Sequence, residues 1–82
     1  MRMQLKPMIT EKAVMMIESQ NTLTFRAEKN ANRAEAKKEI EEIFGVKVER
    51  VRALVRGNHK YFYIKLKKDF PAIDVATKIG MI

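Results

Sequence analysis

Cysteine is absent from this 82-residue chain. That excludes disulfides and thiolate metal sites, and it fits a reducing compartment. Histidine occurs once, at His59. A metal site needs several convergent ligands, so His59 reads as a solvated turn residue, with a phosphate contact as the lesser alternative. No apolar run approaches the roughly 18 residues needed to cross a membrane. The start of the chain, MRMQLKPMITEKA, lacks the continuous apolar stretch of a secretion signal. The expectation is a soluble, cytoplasmic protein without membrane insertion. Glycine and proline are sparse, at three and two residues, and no linker, repeat or low-complexity tract interrupts the chain, which reads as one domain over residues 1–82. No carboxylate pair, Ser-His-Asp set, phosphate-binding loop or dinucleotide fingerprint is present. Glu39, Glu41 and Glu42 lie among lysines on one helix, where mutual screening is a simpler role than catalysis. A chain near this length buries only somewhat more than ~60% of its extended surface, which leaves little room for an active-site cleft. An enzyme is not expected, nor any metal or cofactor.

Acid is nearly missing from one stretch. Residues 46–68 carry eight Lys or Arg (Lys47, Arg50, Arg52, Arg56, Lys60, Lys65, Lys67, Lys68) against Glu49 alone, which accounts for the whole formal net charge of +7. The stretch alternates like two strands, with basic and aromatic residues in one register and apolar residues in the other. A sheet face that is cationic and aromatic suits a polyanion bearing flat bases, so nucleic acid is the first partner to consider.

The periodicities predict an α+β fold, an antiparallel sheet with packed helices in the order helix, strand, helix, strand, strand, helix. The extended entry through Pro7 leaves room for a short extra N-terminal strand. Thr10 is a good N-cap for a helix over about residues 11–19. Its apolar stripe holds Ala13, Val14, Ile17 and one or both of Met15 and Met16, and the polar pair Gln20-Asn21 ends it. The six methionines read as core filler. From Thr22 to Ala27 the pattern alternates as in a half-buried strand, with Leu23, Phe25 and Ala27 inward and Thr22, Thr24 and Arg26 outward. Asn32 with Glu35 forms a capping-box pattern before a helix that should bury Ala36, Ile40, Ile43 and Phe44 and stop at Gly45. In the next strand Val46 and Val48 share one phase while Val51, Ala53 and Val55 take the other and form an inward row with Phe62, Ile64 and Leu66, which predicts a bulge near Glu49-Arg50. Gly57-Asn58 supplies a tight turn, although Asn-Gly is the more favoured order. The return strand puts Phe62, Ile64 and Leu66 inward and Tyr61, Tyr63, Lys65 and Lys67 outward. Pro71 then opens a short helix with Ile73, Val75, Ala76 and Ile79 apolar.

The candidate RNA-binding residues are Arg26, Arg52, Arg56, Lys60, Tyr61, Tyr63, Lys65 and Lys67. Guanidinium groups fork onto phosphate oxygens, lysines add point charge, and tyrosine rings stack on unpaired bases. Lys47 and Lys68 fall outside this face. The competing reading is an ordinary sheet whose solvated face is rich in lysine, with tyrosine serving strand propensity. Confinement of the whole net charge to one hairpin exceeds what that reading predicts. The segment Thr10-Glu11-Lys12 reads, from its residues alone, as a capped helix start with Glu11 near the positive end of the helix dipole.

Taken in order, several segments resemble the large-subunit ribosomal protein L twenty-three family, whose members sit at the exit of the nascent-peptide tunnel. They are Pro7 to Ala13, Asn21 to Phe25, Ala31 to Glu35, Ile40 to Glu49, Lys60 to Leu66 and Asp74 to Gly80. The resemblance implies an α+β domain bound to large-subunit ribosomal RNA beside neighbouring ribosomal proteins. It also implies that Glu11, within Thr10-Glu11-Lys12, helps form a docking site for nascent-chain factors such as the signal recognition particle.

Three departures from the family's pattern are visible. Arg52-Ala53 stands where Asn-Thr is frequent, so the family's amide or hydroxyl contact to RNA is not expected at that point, where Arg52 could offer a phosphate contact instead. Lys60-Tyr61-Phe62-Tyr63 stands where Lys-Lys-Ala-Tyr is common, giving more aromatic area and less charge. The turn from Arg56 to Lys60 is short where bacterial members carry a long basic loop, so tunnel lining is not expected. With no basic N-terminal extension either, the chain is most similar to archaeal members.

Two other readings compete. One is a free single-strand RNA module resembling an RNA recognition motif, for which the glycine-aromatic signature is lacking. The other is a protein-interaction adaptor that uses Glu11 and the Met15-Met16 helix.

Overall fold

The computed structural model describes residues 5–80. The first four residues of the N-terminal segment, and Met1, Met3 and Met81 among the methionines, lie outside the described residues. The elements are β1 (Lys6–Pro7), α1 (Glu11–Gln20), β2 (Thr22–Glu28), α2 (Arg33–Phe44), β3 (Val48–Arg56), β4 (His59–Leu66) and α3 (Ala72–Lys78). The strands form one antiparallel sheet in the order β1-β2-β4-β3. This is the expected α+β architecture, including the short N-terminal strand.

Local chemistry sets the helix ends. Thr10 and Asn32 hold extended backbone, and their side-chain oxygens accept the N–H of Ala13 at 3.1 Å and of Glu35 at 2.8 Å. Each contact satisfies an amide that the first turn leaves without a helical partner. α2 stops at Gly45, whose φ of 63° is a conformation that costs glycine little and whose N–H is donated to the Glu41 carbonyl at 3.0 Å. α1 stops at Asn21, a non-glycine residue in the same left-handed region, with φ 51°.

The core lies between the helices and one sheet face. Leu23 and Phe25 of β2, Phe62, Ile64 and Leu66 of β4, and Val48 of β3 are buried there. They pack with Ile17 of α1, Ala36 and Ile40 of α2, and Ala72, Val75 and Ala76 of α3. Truncating a fully buried Phe such as Phe25 or Phe62 to Ala is worth about 3–5 kcal/mol.

The bulge occurs where the hydrophobic phase slips. Val48 pairs with Leu66 and Arg50 with Lys65, so Glu49 is the extra residue. The hairpin closes through Gly57-Asn58, with Arg56 opposite His59. Gly57 has φ 63° and Asn58 does not share the positive value. Glycine first is the arrangement of a type II′ turn, which accounts for the Gly-Asn order.

Four expectations need correction. Ala53 and Val55 face the core side yet are exposed, Val55 at 51%. β3 is an edge strand, and cover declines along it from buried Val48 through half-buried Val51. Ile43 is exposed where burial was expected, and Phe44 is only half-buried, because Ala36 with Ile40 supplies the inward row of α2. The apolar Ile73 of α3 is exposed as well, with Ala72, Val75 and Ala76 inward. Met15 is 60% exposed and Met16 half-buried, so this pair is not core filler. Finally, β2 is not half-buried: Thr22 and Thr24 on its outward side are buried too. The covering element there is α1.

Candidate nucleic-acid interface

Cross-strand pairing brings the outward residues into rows. Lys6, Arg26, Tyr61 and Leu54 form one row, and Thr24, Tyr63 and Arg52 form the next. Thr22, Lys65 and Arg50 make a third, and Glu28, His59 and Arg56 close the hairpin end. Side chains in one row share a face because strand residues alternate sides. Arg26, Arg52, Arg56, Tyr61, Tyr63 and Lys65 are therefore brought together as expected. Lys65 Nζ also lies 3.7 Å from the Glu49 carboxylate, with both side chains nearly half exposed, a geometry that contributes little to stability.

Two candidates stand apart. Lys60 pairs with Ala27 and Val55 on the helix-bearing side. Its ammonium donates to the Ala31 carbonyl at 2.6 Å and lies 5.9 Å from the centre of the Phe62 ring. This lysine ties the β2–α2 connection to β4. Lys67 is exposed, one residue past the end of β4, and its backbone N–H is donated to the Lys47 carbonyl at 2.9 Å.

The outward face is not flat. Lys12, Met16 and Gln20, spaced at four residues and hence on one side of α1, overhang the strands. With Thr22, Arg50, Arg52, Tyr63 and Lys65 they line an open groove of about 360 Å³. A second hollow of about 210 Å³ adjoins it, sharing Lys12, Met16 and Tyr63 and adding Thr10, Thr24, Arg56 and Tyr61 among its walls. Among the described residues the buried Thr24 hydroxyl has no hydrogen-bond partner. α1 thus serves both sides of the sheet, with Ile17 in the core and Met16 over the outward face.

The Thr10-Glu11-Lys12 segment is divided by this geometry. The Thr10 hydroxyl is taken up by capping, Lys12 belongs to the groove, and Glu11 is exposed on the first turn of α1. Met15, one turn on from Glu11, is exposed beside it, and Ile9 just before the helix is 64% exposed. Three cations of the outward surface, Lys6, Lys12 and Arg50, were absent from the sequence-derived RNA-binding residues, Lys12 having been placed in the docking segment instead. Arg50 shares the phase of Arg52 once the bulge is counted, so a signal for it existed. Nothing in the local pattern placed Lys12 over the sheet.

Fold and face together define a small, basic α+β protein with a grooved, cationic and aromatic sheet surface. The chain belongs to the ribosomal protein L23 family: the family model for Ribosomal protein L23 matches residues 2–73. It is 40% identical over 77 residues, 94% of this chain and 92% of the relative, to the large ribosomal subunit protein uL23 of Thermoplasma acidophilum.

Proposed function

We propose that the chain is a structural, non-catalytic constituent of the large ribosomal subunit. In this reading it acts as one RNA-binding domain in the cytoplasm, holding ribosomal RNA near the tunnel exit beside neighbouring ribosomal proteins. The observation that carries the reading is the outward face, where Arg26, Arg50, Arg52, Arg56 and Lys65 surround Tyr61 and Tyr63 in adjacent rows. Membership of a ribosomal protein family supports ribosomal RNA as the polyanion. The exposed Glu11, flanked by exposed Met15 and Ile9, is proposed as part of a dock for nascent-chain factors such as the signal recognition particle. A carboxylate set among exposed apolar groups offers an ion pair within a surface that a partner can dehydrate.

The test is a triple charge reversal, Arg52→Glu, Arg56→Glu and Lys65→Glu. All three side chains lie on the outward face, so the urea midpoint should change little while incorporation into the large subunit is lost. Sedimentation of the subunit after a salt wash reads the outcome. Normal incorporation of the folded variant would sink the proposed RNA face, and a protein that never travels with ribosomes would favour the free RNA-binding module.

A further inference from the structure

Resting on the RNA-binding reading above, we infer that the groove between α1 and the outward sheet face receives a single nucleotide extruded from its stack. The surface then reads a bulge or loop rather than a continuous duplex.

Shape argues first. A sheet face alone can only lie against its partner, whereas the overhang of Lys12, Met16 and Gln20 turns this one into a cleft. At about 360 Å³ the cleft falls at the small end of the roughly 300–1,000 Å³ typical of sites for small molecules. A double helix is convex and stiff, so it can touch the rim but cannot enter.

Chemistry argues next. The half-buried Met16 and Tyr63 line the same cleft and supply a thioether and an aromatic ring for the faces of a base. At the C-terminal end of α1, Gln20 adds a carboxamide, which is donor and acceptor together and suits the edge of a base. Cations occupy both rims, Lys12 on the helix side and Arg50, Arg52 and Lys65 on the strand side. Phosphates before and after the extruded base would each meet positive charge. No carboxylate lines the groove or its adjoining hollow among the described residues. With cations on both sides, one aromatic ring in the lining, and Glu49 outside the lining but paired with Lys65, the site is chemically matched to a nucleotide.

The experiment uses the full chain and two RNA hairpins of one stem sequence. One hairpin is fully paired and the other carries a single bulged nucleotide, tried as each of the four bases and as fluorescent 2-aminopurine. The expected result is at least tenfold tighter binding of one or more bulged hairpins, with the 2-aminopurine signal changing on binding. Met16→Trp fills the groove without altering charge and should reduce the preference below threefold. Gln20→Trp does the same from an exposed helix position, in case the first variant is unstable. Equal affinity for all hairpins would overturn the nucleotide site while leaving the RNA face standing. Failure of the chain to bind any hairpin would overturn both. A preference that survives both tryptophan variants would place the bulge elsewhere and refute the groove.

Discussion

A single side chain, Asn21, joins three parts of the molecule. Its backbone closes α1 in the left-handed region, and its amide donates toward the carbonyls of Leu66, Lys67 and Phe70 at 3.1, 3.3 and 3.2 Å. Its Oδ1 accepts the Ala72 N–H at 2.6 Å. Pro71, at the N-cap of α3, makes no side-chain cap of its own, so Asn21 fills that role from 51 positions away. Asn21→Ala should cost about 2–4 kcal/mol, combining left-handed strain with the lost hydrogen bonds. Asn21→Gly should recover only the strain, about 1 kcal/mol. Urea unfolding of the two variants measures both parts, and parental stability in Asn21→Ala would refute the role. In the sequence Asn21 was legible only as a helix end. The caps at Thr10 and Asn32 were legible because their partners stand three residues away, within reach of a local pattern.

At the scale of the element, β3 shows how one extra residue assigns faces. Val48 and Val51 are three apart yet both turn toward the core side, while Arg50 and Arg52 turn outward, because Glu49 is bulged out between them. The Val48 N–H is held meanwhile by the Glu41 carboxylate at 2.9 Å, which anchors the strand start to α2. Two deletions distinguish this arrangement from a regular strand. Removing Glu49 leaves Val48 opposite Leu66 and both faces intact, so stability should fall by no more than roughly 1 kcal/mol, as for a surface change. Removing Arg52 is absorbed at the bulge, which turns Arg50 inward and Val51 outward and should cost at least ~2 kcal/mol. The urea midpoints of the pair check the assignment; equal losses would contradict it. The bulge was readable because the apolar phase slips in the sequence itself. The exposure of Ala53 and Val55 was not, since how far a helix extends over an edge strand depends on packing rather than on alternation.

Across the whole molecule, charge and core are separated by the sheet. The apolar rows face the helices, and the cationic rows face away with α1 as one wall. Glu11 lies on the exposed first turn of that wall, adjacent in sequence to Lys12 but outside the groove lining. Glu11→Ala should therefore weaken binding of the signal recognition particle to intact ribosomes by about tenfold, the loss expected of a contact worth just over 1 kcal/mol. The protein should remain in the subunit, as sedimentation would show. Unchanged factor affinity would count against the dock.

The sequence by itself determined the elements, the caps of α1 and α2, the bulge, the turn and the sign of the outward face. Each depends on neighbours within a few positions and on periods of 2 or 3.6 residues. Only the tertiary structure decided that Lys60 binds the Ala31 carbonyl on the helix side, that Asn21 caps α3, and that Lys12 and Met16 convert a flat cationic face into a groove. The Lys60 contact depends on where the β2–α2 connection lies over β4. The other two depend on how α1 is seated against the sheet, which is set by burial of Ala13 and Ile17 together with residues distant in the chain.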